Sequence, residues 1–205
     1  VPAASPEQKI DPETADIRVD GETVSCRRFT YVLLHKPAGV LSAVEDSRQR
    51  TVLDLLPQEL KRQGLSPVGR LDKDTEGLLL LTNDGELAHR LLSPKYHVEK
   101  RYFARVDGEL SAADTEAFAR GMTLGDGLEC LPAGLEVLPD RVCIVTLREG
   151  KFHQVKRMLA SRGKPVLYLK RLAMGPLTLE DTLPAGQCRP LSPVELAAVR
   201  SACML

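Results

Sequence analysis

This chain of 205 residues predicts an α+β fold with a mixed, largely antiparallel sheet, on three observations. Strand-like apolar runs intermingle with helix-period runs, without the regular strand–helix–strand rhythm of a parallel α/β sheet. Turn signals separate neighbouring runs, Asp20-Gly21 and Asn83-Asp84-Gly85 among them, and Asp-Gly between two short alternating runs is a strong hairpin signal. No internal repeat is visible, and the length suits one large domain or two small ones with a substantial core.

Taken in order, residues 1–12 are rich in Pro, Ala and polar residues without periodicity and read as a flexible end. Residues 17–24 read as a small hairpin. Residues 29–35 read as a buried strand ending in Lys36-Pro37-Ala38-Gly39, and residues 51–56 as a short helix stopped by Pro57. The run at 78–82 is a strand, 86–92 a short helix and 102–107 a strand. Ser111 with Asp114 has the spacing of a helix-start box, and Gly121 marks that helix's end. Strands at 135–138 and 142–147 surround a turn. Phe152, Val155, Met158 and Leu159 recur at helical spacing, so residues 152–162 read as a helix with Gly163 at its stop. Residues 166–172 alternate and are rich in β-formers. Ser192-Pro193-Val194-Glu195 supplies a cap, a first-turn proline and a reaching carboxylate for a terminal helix over 193–202.

Composition excludes several classes of function. Hydrophobic residues make up 43% and charged residues 27%, which is globular, and no run approaches the ~18 apolar residues of a membrane span. No signal-peptide pattern opens the chain, so a cytoplasmic protein is expected. Five cysteines, widely spaced and without a C-x-x-C pair, argue for free thiols rather than a disulfide framework or zinc site. The four histidines lack metal-helix spacing, so no metal is expected. Net charge is zero, yet cations cluster at 27–28, 35–36, 61–62, 95–101, 151–157 and 170–171, and a neutral total can hide one basic face.

The densest functional stretch is Gly69-Arg70-Leu71-Asp72-Lys73-Asp74-Thr75-Glu76-Gly77, just ahead of the apolar run at 78–81. Acids and bases sit on a loop that a rigid strand would hold, as in many active sites, although a lone charge run is usually a solvated face. Asp72-Lys73-Asp74 superficially fits the paired aspartates of haloacid-dehalogenase phosphatases, but residues 66–70 are not the required strand and Glu76 stands where Thr or Val belongs. Asp72 with Glu76 would be the carboxylate pair of a hydrolase, yet the chain has no tryptophan to line a sugar cleft. Neither a G-x-x-x-x-G-K-[ST] nor a G-x-G-x-x-G motif is present.

Gly-Arg-Leu-Asp-x-Asp-Thr-x-Gly-Leu-Leu at 69–79 resembles the catalytic motif of RNA pseudouridine synthases, in the RsuA-like branch that modifies ribosomal RNA. Leu34-His35-Lys36-Pro37-Ala38-Gly39, Glu99-Lys100-Arg101-Tyr102 and the stretch from Glu149 to Met158 follow in the family's order, as do Leu183-Pro184-Ala185-Gly186 and Arg189-Pro190-Leu191. The likeness runs over about residues 31–199. It implies the pseudouridine synthase fold, a mixed sheet flanked by helices around a central catalytic cleft, in a domain over 29–205. Residues 1–28 are then a flexible segment and hairpin, the remnant of the small RNA-binding front domain usual in the family, either in a trimmed chain or in a naturally short form.

The resemblance implies isomerisation of one uridine to pseudouridine in ribosomal RNA or a pre-ribosomal particle, small-subunit RNA being favoured on general likeness. It implies base flipping, no cofactor and a monomer. Asp72 is the implied nucleophile, toward ribose or base. Tyr102 is implied to stack on the flipped uracil and Lys156 to pair with Asp72, with Arg157 as its competitor, because helical neighbours point about 100° apart and only one can face the cleft. Arg70 is expected at the duplex or a phosphate, and Lys36, Lys100, Arg101, His153, Gln154 and Arg157 are candidates for RNA contact. Asp74 and Thr75 are expected to shape the loop, and an apolar residue among 169–172 to pack beneath the uracil. The rival readings are a catalytically idle RNA-binding module of ribosome assembly and the Asp72–Glu76 hydrolase.

Overall fold

The computed structural model describes residues 28–205, together with the backbone of two short strands nearer the amino end. These two, β1 (Arg18–Val19) and β2 (Glu22–Thr23), pair antiparallel where the sequence reads as a hairpin. The expected flexible end at 1–12, the Asp20-Gly21 turn and Cys26 lie outside the described residues.

From there the chain runs β3 (Tyr31–Lys36), a 3-10 turn over Val52–Leu55, α1 (Gln58–Lys61), β4 (Ser66–Pro67), β5 (Glu76–Thr82), α2 (Gly85–Leu92), β6 (Lys100–Val106), α3 (Ala112–Arg120), β7 (Met122–Thr123), β8 (Glu129–Cys130), β9 (Gly134–Leu138), β10 (Val142–Leu147), α4 (Gln154–Ser161), β11 (Val166–Met174), β12 (Leu177–Thr178), β13 (Cys188–Pro190) and α5 (Pro193–Ala202). The main sheet has the order β13-β3-β5-β11-β6-β10-β9, with β4 on β5 and β12 on β11. β11 runs parallel to β5, while its pairing with β6 and the other pairings of this sheet are antiparallel. The sheet is mixed and mainly antiparallel, as the sequence predicts.

Two strands read as unbroken apolar runs because they are buried on both faces. Alternation along a strand sends Leu79 and Leu81 of β5 to one face and Leu78 and Leu80 to the other. The first pair joins a core with Phe118 of α3 and Val155, Met158 and Leu159 of α4; the second joins one with Leu87 and Leu91 of α2 and Val199 of α5. Helices therefore cover both faces. Where β5 meets β11, Gly77 has φ +113°, and a Cβ there would lie 2.2 Å from the Arg171 carbonyl oxygen; only glycine lets these backbones approach so closely.

The expected helix at 51–56 is a 3-10 turn, with the Asp54 carboxylate accepting from the Thr51 backbone N–H at 2.7 Å. At α5 the expected box forms: Ser192 Oγ accepts from Glu195 N, and the Glu195 carboxylate accepts from Ser192 N at 2.8 Å. The helix expected over 152–162 starts later, at Gln154, because His153 takes a left-handed φ of +50° and breaks the helical path. Phe152 lies outside the helix and is 69% exposed, not on its apolar face.

Candidate active site

The loop that carries Asp72 leads into β5 and is held from below by β3. Lys36, last in β3, is fully buried, and its ammonium donates to the carbonyl oxygens of Asp72 (3.0 Å), Lys73 (3.2 Å), Thr75 (2.9 Å) and Pro37 (3.0 Å). Gly39 N donates to the Lys73 carbonyl, and the Ser42 hydroxyl both accepts from Leu71 N and donates to its carbonyl. Burial drives the Lys36 pKa down to about 8, against the opposing pull of Asp74, Asp72 and Glu76. The expectation that Lys36 contacts RNA is thus corrected: its charge is spent on loop carbonyls beneath the surface.

Above this base the Asp72 carboxylate stands between two groups from the α4 region. Lys156 Nζ is 3.0 Å from Oδ2, and His153 Nε2 is 3.3 Å from Oδ1. Lys156 also binds Asp74 at 2.6 Å. Burial works against the Lys156 ammonium, but its hydrogen bonds to Asp74 and Asp72 prevail and raise its pKa; the same bond to Lys156 holds Asp74 low. Arg157, one residue on, points elsewhere and pairs with Asp126 at 2.5 Å. Of the two competing cations, Lys156 is the one beside Asp72. Asp74, expected only to shape the loop, shares that cation, while the Thr75 hydroxyl reaches Asp72 Oδ2 at 3.5 Å.

A cleft opens over Asp72 and is walled by Tyr102, Leu147, Val155 and Leu169. Tyr102 of β6 is paired with Arg171 of β11 and buried to 9% exposure. Leu169 is the residue among 169–172 that lines the cleft. Arg70 is exposed at the rim.

The remaining candidates separate by burial. Lys100 is buried, donates to the Val98 carbonyl and has its pKa lowered to about 8 by burial and then by Arg171. Gln154 is buried as a strut: it donates to Glu149 at 2.6 Å and accepts from Lys151 N, while Glu149 accepts from Leu131 N. Lys100 does not reach the surface, so its expected RNA contact is corrected too; Gln154, though buried, is part of the cleft lining. Arg101 is exposed, but alternation puts it on the face of β6 away from Tyr102. His153 is exposed at the cleft mouth. Arg171, read from sequence as part of a basic surface cluster, is buried beside Tyr102 in register, with Nε donating to the Leu78 carbonyl at 2.8 Å. Its i, i+2 spacing from Leu169 was the available signal, since both share a face of β11.

Glu76 lies outside the cleft lining, and its carboxylate accepts from the Tyr168 hydroxyl at 2.7 Å. The hydrolase reading loses its second carboxylate. Among the described residues no group of three or more His, Cys, Asp or Glu side chains is placed to hold a metal ion, and no helix is long and apolar enough to cross a membrane.

With the aspartate held between a lysine and a histidine at the foot of this cleft, the family model for RNA pseudouridylate synthase matches residues 30–161. The chain belongs to that family. It is 47% identical over 199 residues to the Bacillus subtilis (strain 168) protein named "Uncharacterized RNA pseudouridine synthase YtzG", covering 95% of this chain and 83% of that one. It is 41% identical over 188 residues to the ribosomal small subunit pseudouridine synthase A of Vibrio cholerae (91% and 81% covered) and 37% identical over 193 residues to that of Escherichia coli K12 (93% and 83%). A crystal structure of a pseudouridylate synthase superposes with a TM-score of 0.79 at 35% identity over 95% of this chain and 84% of the other. An archaeal box H/ACA Nop10–Cbf5 complex shares the fold at a TM-score of 0.53 and 17% identity, over 77% of this chain and 51% of that one.

Proposed function

We propose that this synthase converts a specific uridine of ribosomal RNA to pseudouridine, with small-subunit RNA favoured, and that Asp72, Tyr102 and Lys156 carry the reaction. The preference for small-subunit RNA rests on the names of the Vibrio and Escherichia relatives. The observation that carries the residue roles is the Asp72 carboxylate at the foot of the cleft, 3.0 Å from Lys156.

In this reading the target base leaves its stack, which costs a few kcal/mol, and lies against Tyr102 and Leu169. Asp72 acts as nucleophile and divides one hard step into easier ones. The C1′–N1 bond breaks, the base turns, a C5–C1′ bond forms, and the bond that Asp72 made to the ribose or the base breaks again, freeing the carboxylate. The C5 proton then leaves and N1 ends protonated, so the reaction is an isomerisation with no net redox change. Lys156 holds the Asp72 oxygens in line, and Lys36 fixes the loop beneath. Tyr102, stacked on the ring, has its hydroxyl available for proton transfer.

The test is tritium release from carbon-5-labelled uridine in protein-free ribosomal RNA of each subunit, and in pre-assembled particles. The wild-type chain releases tritium and the Asp72→Asn variant falls by at least about a thousandfold. RNA binding without release by either protein on any of these substrates points instead to an idle RNA-binding module.

A further inference from the structure

Phe152 and His153 form an unusual pair, His153 lining the cleft and Phe152 stacked on it. Their rings stack at 3.8 Å between centroids with 20° between planes. His153 holds a left-handed backbone angle, φ +50°, and its Nε2 lies 3.3 Å from the Asp72 carboxylate. Phe152 is 69% exposed. A single exposed apolar side chain is ordinary on any surface. This one differs in that one ring face is covered by an imidazole which itself touches the candidate nucleophile, so the other face is presented at a fixed distance from the reacting carboxylate. The support beneath is rigid: Gln154 bonds the Lys151 backbone N–H at 3.0 Å and the buried Glu149 at 2.6 Å, tying down the loop from which both rings project.

We propose that the open face of Phe152 is a stacking platform for the RNA base that neighbours the flipped uridine. The proposal rests on the synthase reading of the cleft. Flipping a base removes a stacking partner from its neighbour, and an aromatic ring beside the cleft restores one. Such stacking is tolerant of base identity because every base has a π-face. The platform thus holds the flanking nucleotide in place without choosing its sequence, and His153 sets its distance from Asp72.

Two readouts test this. With labelled ribosomal RNA as substrate, Phe152→Ala raises KM about tenfold, the equivalent of one stacked base, and moves kcat less, while Phe152→Tyr restores the wild-type KM. Because the chain has no tryptophan, Phe152→Trp introduces the sole tryptophan, whose emission, excited beyond the tyrosine band, is quenched by stacking when protein-free ribosomal RNA is added. An unchanged KM in Phe152→Ala, or emission that stays constant while RNA is bound, overturns the platform. Quenching by pre-assembled particles alone, and never by naked RNA, overturns it in favour of a protein contact. Failure of the synthase reading shows elsewhere, as absent tritium release by the wild-type chain. In that event the tryptophan decides alone: quenching by RNA sustains a stacking surface and its absence removes it.

Discussion

Lys156 sits between two aspartates, 3.0 Å from Asp72 and 2.6 Å from Asp74, so its bond to Asp74 fixes where it meets Asp72. Lys156→Met therefore loses activity by about a hundredfold, the scale on which small misplacements of a reacting group act, and Lys156→Arg recovers part of it; tritium release at saturating RNA measures both. Lys36 gives a second prediction, in pH. Its pKa of about 8 is below the ordinary 10.5, so between those values the unfolded chain binds more protons than the folded one. Its contribution to stability accordingly rises with pH across that window. The neutral amine, however, has two N–H donors where the ammonium has three, and the loop carbonyls lose a partner. Activity should fall above about pH 8 while the urea midpoint does not, and Lys36→Arg should remove that activity limb. A joint decline of activity and stability would show that the loop tether is not the cause. Asp72 and Tyr102 were legible as candidates because the motifs that resemble the family carry them, whereas Lys156 and Arg157 stayed competitors until the fold put Lys156 beside Asp72. Lys36 and Lys100, expected at the surface, are buried, since nothing local distinguishes a buried cation from a solvated one.

Two contacts test the elements that position the site. β5 and β11 run parallel at Gly77, where an added Cβ would meet the Arg171 carbonyl oxygen at 2.2 Å and its nitrogen at 2.6 Å. Gly77→Ala should cost roughly 3 kcal/mol or more from clash and backbone strain together, read as a lowered urea midpoint. At the other end, Glu195 caps α5 and accepts from Arg189 at 2.7 Å. The hydrogen bond from Arg189 outweighs burial and, with those from Ser192, lowers the Glu195 pKa from 4.5 to about 2. The stability it supplies is present above pH 4.5 and disappears as pH falls toward 2. The gap in thermal midpoint between the wild type and Glu195→Gln should narrow over that interval; a constant gap would assign it to packing. The capping boxes at 111–114 and 192–195 were readable because caps are local. The start of α4 was not, since the left-handed turn at His153 serves a contact to a loop about 80 residues earlier.

At the scale of the whole molecule, the charges sum to zero, yet Arg70 is exposed at the cleft rim and Arg101 is exposed on the far face of β6. If RNA is gripped through a basic face, the logarithm of affinity falls with the logarithm of salt at a slope of about −3 or steeper, the release expected from four or more phosphates. A flat response between low and physiological salt removes that face. The α+β class was legible from composition and periodicity, because apolar period follows local geometry and needs no partner. The strand order was not legible, since β3, β5 and β11 are brought together across the chain by burial on both faces rather than by any turn.

By itself, then, the sequence determined the fold class and the main strands and helices, because short-range spacing encodes them, and its motifs marked Asp72, Tyr102 and the Lys156–Arg157 pair as candidates through likeness to a known family. Only the tertiary structure decided which cation faces Asp72. It also turned Lys36 and Arg171 inward and set His153 at the cleft with Phe152 stacked on it. Those outcomes depend on which faces the sheet buries and on contacts between residues far apart in the chain, and neither is written in any local stretch of sequence.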